Sequence, residues 1–262
     1  MDSVDPAAVA GPGRAGPGTP APSSPGARPD GAGVTARARD ALVELGVRAA
    51  AGTFRPLLGV HRYDPAVAPG YRRSAVMILL APPDAPGRGG ADLFLVQRSP
   101  HLRDHPGQIA LPGGRVEDDD RDEAGAALRE THEEIGLPPR HVEVLGQLPP
   151  VMVPVSRFVV TPVLGWTTRA DLCAEVDPGE VLHTIRVPVD ALLDPAARAS
   201  VRVRDHRSAG FHTTSGWVWG FTGNLLDHVF TELGWTRAWD RDREVLMDYD
   251  PVRRLATPRP PA

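Results

Sequence analysis

A chain of 262 residues and 28.0 kDa with 41% hydrophobic content has enough apolar mass to close a core of its own. Its formal net charge of -4 and isoelectric point near 6.1 argue against a dedicated nucleic-acid binder, which carries a strongly basic domain. All 29 basic residues are arginine, which excludes Schiff-base and P-loop lysine chemistry, and the single cysteine, Cys173, excludes an intrachain disulfide or a zinc cluster.

Residues 1–34 are dominated by Pro, Gly, Ala and Ser with almost no large apolar side chain, the composition of a disordered tail. Arg14 and Arg28 are not followed by an apolar h-region, and the longest apolar run, Ala75 to Ala81, is too short to span a bilayer. A reducing cytoplasm and no membrane partner are therefore expected. A folded domain is expected over residues 35–250, opening with an amphipathic helix from Thr35 to Leu45 that turns Ala38, Ala41, Leu42 and Leu45 inward.

Ser74 to Ala81 and Asp92 to Gln97 are two β-compatible runs separated by the turn-rich PPDAPGRGG. The loop that follows, RSPHLRDHPGQIALPGG, concentrates Arg98, His101, Arg103, His105 and Gln108, hydrogen-bond donors suited to phosphate or carboxylate. Further strands are predicted at Val142 to Leu148, Arg157 to Trp166, His183 to Pro188 and Ser215 to Phe221, with a short helix from Pro188. A last helix capped by Thr222 buries Leu225, Leu226, Val229, Phe230 and Leu233, and residues 251–262, rich in Pro and Arg, read as a frayed tail. Strands on both sides of a central helix define an α/β class with helices on both faces of a sheet.

The most specific stretch is GGRVEDDDRDEAGAALRETHEEIGL, Gly113 to Leu137. From Asp122 to Ile135 its pattern is helical, with Ala124, Ala127, Leu128, Thr131 and Ile135 on one face. Asp120 is the expected N-cap, and Gly136 before Pro138 ends the helix. Glu130, Glu133 and Glu134 stand at i, i+3 and i+4, so three like charges repel unless something positive sits among them. Carboxylates are the ligands that Mg2+ and Mn2+ prefer, with substrate phosphates and waters completing the shell. Gly113 and Gly114 let backbone groups approach such a metal or phosphate closely.

The double glycine, the acidic loop and the run Arg129-Glu130-x-x-Glu133-Glu134-x-Gly136-Leu137 resemble the Nudix box, the signature of a family of metal-dependent pyrophosphohydrolases. The general pattern has five residues between the second glycine and the next acid, as from Gly114 to Asp120, then seven before the Arg-Glu pair, where eight precede Arg129. The extra residue and the Asp in place of Glu resemble the coenzyme A pyrophosphatase branch. So do Arg98-Ser99, Leu102-Arg103-x-His105-x-Gly107-Gln108 and Pro112-Gly113-Gly114 upstream, and Glu180-Val181, Val187-Pro188-Val189 and Val218-Trp219-Gly220-Phe221-Thr222 downstream.

This resemblance implies a Nudix-type α/β/α sandwich with a mixed β-sheet. It implies metal-dependent hydrolysis of CoA or acyl-CoA to 3',5'-ADP and 4'-phosphopantetheine or its acyl derivative, with Mg2+ or Mn2+ as cofactor. By motif position Glu130, Glu133 and Glu134 would be metal ligands, joined by a carbonyl of Gly113 or Gly114. Arg129 would orient the glutamates or pair with Asp120. Arg98, Arg103, His105 and Gln108 would bind substrate, or else serve as structural hydrogen-bonding residues of a surface loop. The water's proton would pass to a box glutamate or to a distant acid such as Glu180. Trp217 and Trp219 alternate as core residues would, and Cys173 reads as a small apolar side chain rather than a nucleophile. Two other functions stay open: hydrolysis of another nucleoside diphosphate derivative such as ADP-ribose or NADH, and a nucleotide-sensing module without turnover.

Overall fold

The computed structural model describes residues 31–85, 90–102, 106–174, 179, 181–252 and 255–259. Among these, four α-helices, α1 (Gly31–Ala50), α2 (Glu123–Ile135), α3 (Val189–Leu192) and α4 (Gly220–Glu232), accompany two sheets. The larger sheet holds β1 (Arg72–Ala81), β2 (Asp92–Arg98), β3 (Ile109–Ala110), β4 (Gly113–Arg115), β5 (Glu143–Gln147), β6 (Val151–Val153), β7 (Phe158–Trp166) and β8 (Val181–Pro188). The smaller holds β9 (Arg198–Val203), β10 (His206–Thr213), β11 (Gly216–Val218), β12 (Glu244–Asp250) and β13 (Leu255–Pro258).

β1 organises the larger sheet. On one edge it runs parallel to β7 from Arg72↔Phe158 to Leu80↔Trp166. Its other edge is shared by two antiparallel partners, β4 at Ser74 to Val76 and β2 at Leu80 and Ala81. Between them the Met77 amide donates to the Pro112 carbonyl at 2.7 Å. β2 thus diverges from β1 to pair with β3 and β8, and Pro112 enters where the sheet splits.

Period-two alternation in β1 assigns its side chains to two cores. Ile78 and Leu80 join Leu42 and Leu45 of α1 and Leu226, Val229 and Phe230 of α4, while Ala75, Met77 and Leu79 join Ala126, Ala127 and Ile135 of α2. A mixed sheet covered on both faces is an α/β/α sandwich, as expected. No helix among the described residues is long and apolar enough to cross a membrane.

Several local expectations change. α1 starts at Gly31 and runs to Ala50, beyond both predicted ends. α4 begins at Gly220 with Trp219 as its N-cap residue, so Thr222 lies inside the helix. Val218 is fully buried, whereas Trp217 and Trp219 are only half-buried, and Trp217 packs on His212 with ring centroids 5.1 Å apart. Leu255–Pro258 pairs with β12, placing a strand in the segment expected to fray beyond residue 250.

The smaller sheet was missed apart from the short segment of β11. The β9–β10 hairpin turns at Arg204 and Asp205, with Arg204 at φ 50°, without the Gly or Asn that marks such turns. Arg198 also breaks the alternation, because it is completely buried. Its guanidinium lies 3.9 Å from the Phe211 ring centroid and 4.4 Å from that of Trp239, and it donates to Asp227 at 2.5 Å. Aromatic faces and a carboxylate together offset the cost of burying the cation.

Candidate active site

The candidate site lies where α2 crosses β4 beside the split in the sheet. Asp122 caps α2, its carboxylate accepting the Gly125 N–H at 2.8 Å, and Gly136 ends it in the left-handed conformation at φ 70°. The cap is therefore two residues later than predicted, because Asp120 is engaged elsewhere. Asp120 accepts two hydrogen bonds from Arg129, from Nε and from Nη2, each at 3.0 Å, and one from the Glu117 amide at 2.8 Å. The Arg129 hydrogen bonds, with the Glu117 amide and the arginine's charge adding to them, outweigh burial and hold the Asp120 carboxyl below the usual carboxylate range.

Arg129 is the hub. Besides gripping Asp120, its Nη1 donates to Glu130 Oε1 and to Glu133 Oε2, each at 2.9 Å, and its Nη2 donates to the Arg115 carbonyl at 2.9 Å. Hydrogen bonds to Asp120 and Glu130 raise its pKa above the ordinary arginine value, so it stays charged. The positive charge demanded by the glutamate trio is present within the chain.

The three glutamates have different surroundings. Glu134 is 4% exposed, and its Oε2 accepts the Gly113 N–H at 2.9 Å while Arg98 Nη1 lies 3.8 Å from its Oε1. A glutamate predicted on a polar face is thus buried, because a backbone donor and a cation compensate it. Glu130 lies against Gly114, where a Cβ would stand 2.2 Å from its Oε1. Gly113 is equally constrained: at φ 154° a Cβ would meet the Ala75 carbonyl at 2.4 Å. The Gly114 carbonyl accepts from Ser74 Oγ at 2.5 Å. Glu133 is 53% exposed and faces Arg129.

Among the described residues no group of three or more His, Cys, Asp and Glu side chains is placed to hold a metal ion, and Glu130 and Glu133 share one nitrogen of Arg129. The donor chemistry nevertheless fits a hard divalent cation: the oxygens of Glu130 and Glu134 flank the Gly113–Gly114 backbone. The Cβ-free space at Gly114 is what lets a carboxylate approach so closely.

Arg98 and Gln108 are brought together at the two ends of the loop between β2 and β3, the Arg98 amide donating to the Gln108 carbonyl at 2.9 Å. Arg98 Nε is shielded and has no acceptor among the described residues. Arg103, His105 and Glu180 lie outside the described residues. Ser74 had no distinguishing sequence signal, since its contact with Gly114 depends on the β1–β4 pairing. Half-buried Cys173 is away from these contacts, and burial pushes its thiol up to about 11.

An acidic helix braced by arginine against a glycine strand, in an α/β/α sandwich, defines an α/β class of protein whose site sets carboxylates beside an arginine and glycine backbone. The family model described as NUDIX domain matches residues 70–205, and the chain belongs to the Nudix family. It is similar to a protein described as uncharacterized Nudix hydrolase NudL from Enterobacter sp. (strain 638), 36% identical over 167 residues that cover 62% of this chain and 83% of that one. The protein of the same description from Escherichia coli (strain K12) is 36% identical over 169 residues, 63% and 84% of the two chains. Among solved structures, a MutT/nudix family protein from Enterococcus faecalis is 17% identical, with a TM-score of 0.43 over 68% of this chain and 65% of that one. The chain is thus a Nudix hydrolase by family.

Proposed function

We propose that this chain hydrolyses the diphosphate bond of coenzyme A or an acyl-CoA, releasing 3',5'-ADP and 4'-phosphopantetheine or its acyl derivative. The observation that carries the proposal is the placement of Arg98, first residue of the branch-like upstream motif, 3.8 Å from Glu134 at the end of the box helix. A cation beside the buried carboxylate gives a diphosphate a charged partner next to the residues proposed to activate water.

Mg2+ or Mn2+ would be held by Glu130, Glu133 and Glu134 with the Gly114 carbonyl. When bound, such an ion supplies Lewis-acid charge for the phosphoryl oxygens and makes water more acidic. Arg129, fixed by Asp120, then orients Glu130 from behind. Glu134 is held by the Gly113 amide with its other oxygen toward Arg98, and a glutamate so fixed can accept a proton from an attacking water. Arg98, Arg103, His105 and Gln108 would grip the substrate phosphates.

The test is a panel of CoA, acetyl-CoA, ADP-ribose and NADH incubated with the full chain, with and without Mg2+ or Mn2+. Release of 3',5'-ADP from CoA only with metal supports the proposal. Cleavage of ADP-ribose with CoA untouched refutes the coenzyme A assignment, and no cleavage of any diphosphate favours a sensing module.

A further inference from the structure

The smaller sheet meets the larger one at the loop that carries Arg98 and Gln108. Its strands β10 to β13 all lie beyond residue 205, where the family match ends. Among the described residues, three contacts at this junction bear on the loop. A Cβ on Gly107 would sit 3.3 Å from Leu255 Cδ1 of β13. A Cβ on Gly216, the first residue of β11, would sit 3.8 Å from Ile109 Cδ1 of β3. His183 Nε2 and Ser215 Oγ are hydrogen-bonded at 3.2 Å.

These contacts lead to one segment. His183 is cross-strand from Gln97, which on its other side opposes Ile109. Gln97 Nε2 donates to the Gly107 carbonyl at 3.3 Å, and the next residue, Arg98, closes the loop through its amide to Gln108. Both Gly107 and the loop base are therefore tied to β2 on one side and to the smaller sheet on the other. Displacing the loop base would move Arg98 relative to Glu134, from which its guanidinium is separated by 3.8 Å.

We infer that Leu255 and Ser215 are positioning residues: the smaller sheet holds Gln97, Arg98 and residues 107–110 so that Arg98 and Gln108 face the diphosphate. This deepens the proposed hydrolase reading and rests on it for its ligand. Neither residue touches Glu130, Glu134 or Arg129, so their loss weakens substrate affinity and leaves the hydrolytic step intact. Packed contacts of this kind couple sites by roughly twofold to thirtyfold in affinity.

The experiment uses the full chain with Leu255→Ala and Ser215→Ala. Amide hydrogen exchange is measured over 97–110 and over α2, and CoA hydrolysis is measured with Mg2+. Each variant is expected to speed exchange over 97–110 while leaving α2 unchanged, and to raise KM about fivefold with kcat within about twofold of wild type. Unchanged exchange over 97–110, or a fall in kcat at constant KM, overturns the inference. Thermal unfolding keeps a global loss of fold separate, because that would speed exchange in α2 as well. Should the wild-type chain cleave no diphosphate, the hydrolase proposal fails on its own account, and the exchange result alone decides the positioning role.

Discussion

Replacing Arg129 with methionine keeps most of the side-chain length and removes the charge that three carboxylates share. Of these, Glu133 is 53% exposed, and an exposed pair of this kind contributes close to nothing. The side chains of Asp120 and Glu130 are 6% and 14% exposed, so Arg129→Met takes the guanidinium from two carboxylates largely shielded from water. Breaking a buried pair costs about 3–5 kcal/mol, and the 26% exposure of Arg129 lets water in and lowers the expected loss to about 2–3 kcal/mol. In a domain of this size that corresponds to a fall of roughly 4–10 °C in Tm. The pH dependence has a definite sign. Hydrogen bonds from Arg129 depress the Asp120 pKa, so its contribution is fully present above the unfolded carboxylate value of about 3.9 and disappears as pH falls through the lower folded value. Urea unfolding should therefore show a constant gap between wild type and Arg129→Met from about pH 7 to 5, narrowing below about pH 4. A gap under about 0.5 kcal/mol at neutral pH, or one that persists undiminished at about pH 3, would refute this account of Arg129 as the site's internal counter-ion.

Three further outcomes follow from the same geometry. Glu134→Gln keeps an acceptor for the Gly113 amide, so stability should change by less than about 1 kcal/mol while kcat falls by about 100-fold or more; equal losses in both would mark Glu134 as merely structural. Gly114→Ala places a methyl 2.2 Å from Glu130 Oε1, which should cost about 1–3 kcal/mol and raise the Mg2+ concentration needed for half-maximal activity; an unchanged metal requirement would remove Glu130 and Gly114 from the metal site. With burial pushing its thiol to about 11, Cys173 should react slowly with iodoacetamide at neutral pH and accelerate only as pH approaches that value. Rapid labelling near pH 7 would contradict its burial.

Alternation and periodicity are local properties, and wherever one face is buried they are legible without coordinates. That is why β1, β2, β7 and α2 lie where the sequence puts them, and why Gly136 ends α2 as expected. The spacing of Arg129, Glu130, Glu133 and Glu134 likewise put the four on one helix beside the glycines, as the structure has them. Long-range compensation was not legible. The pattern could not reveal that Glu134 would be buried, because its partners Gly113 and Arg98 reach it only after β4 and β2 have docked. Arg198 hid a core strand for the same reason: its burial depends on Phe211, Trp239 and Asp227, the last two 41 and 29 residues away in sequence. The sequence by itself thus determined which residues carry the carboxylate and arginine chemistry. Only the tertiary structure decided which charges pair, that Arg129 bridges Asp120, Glu130 and Glu133, and that the smaller sheet reaches His183 and Gly107, since burial and charge pairing are set by chain segments that meet only in the folded state.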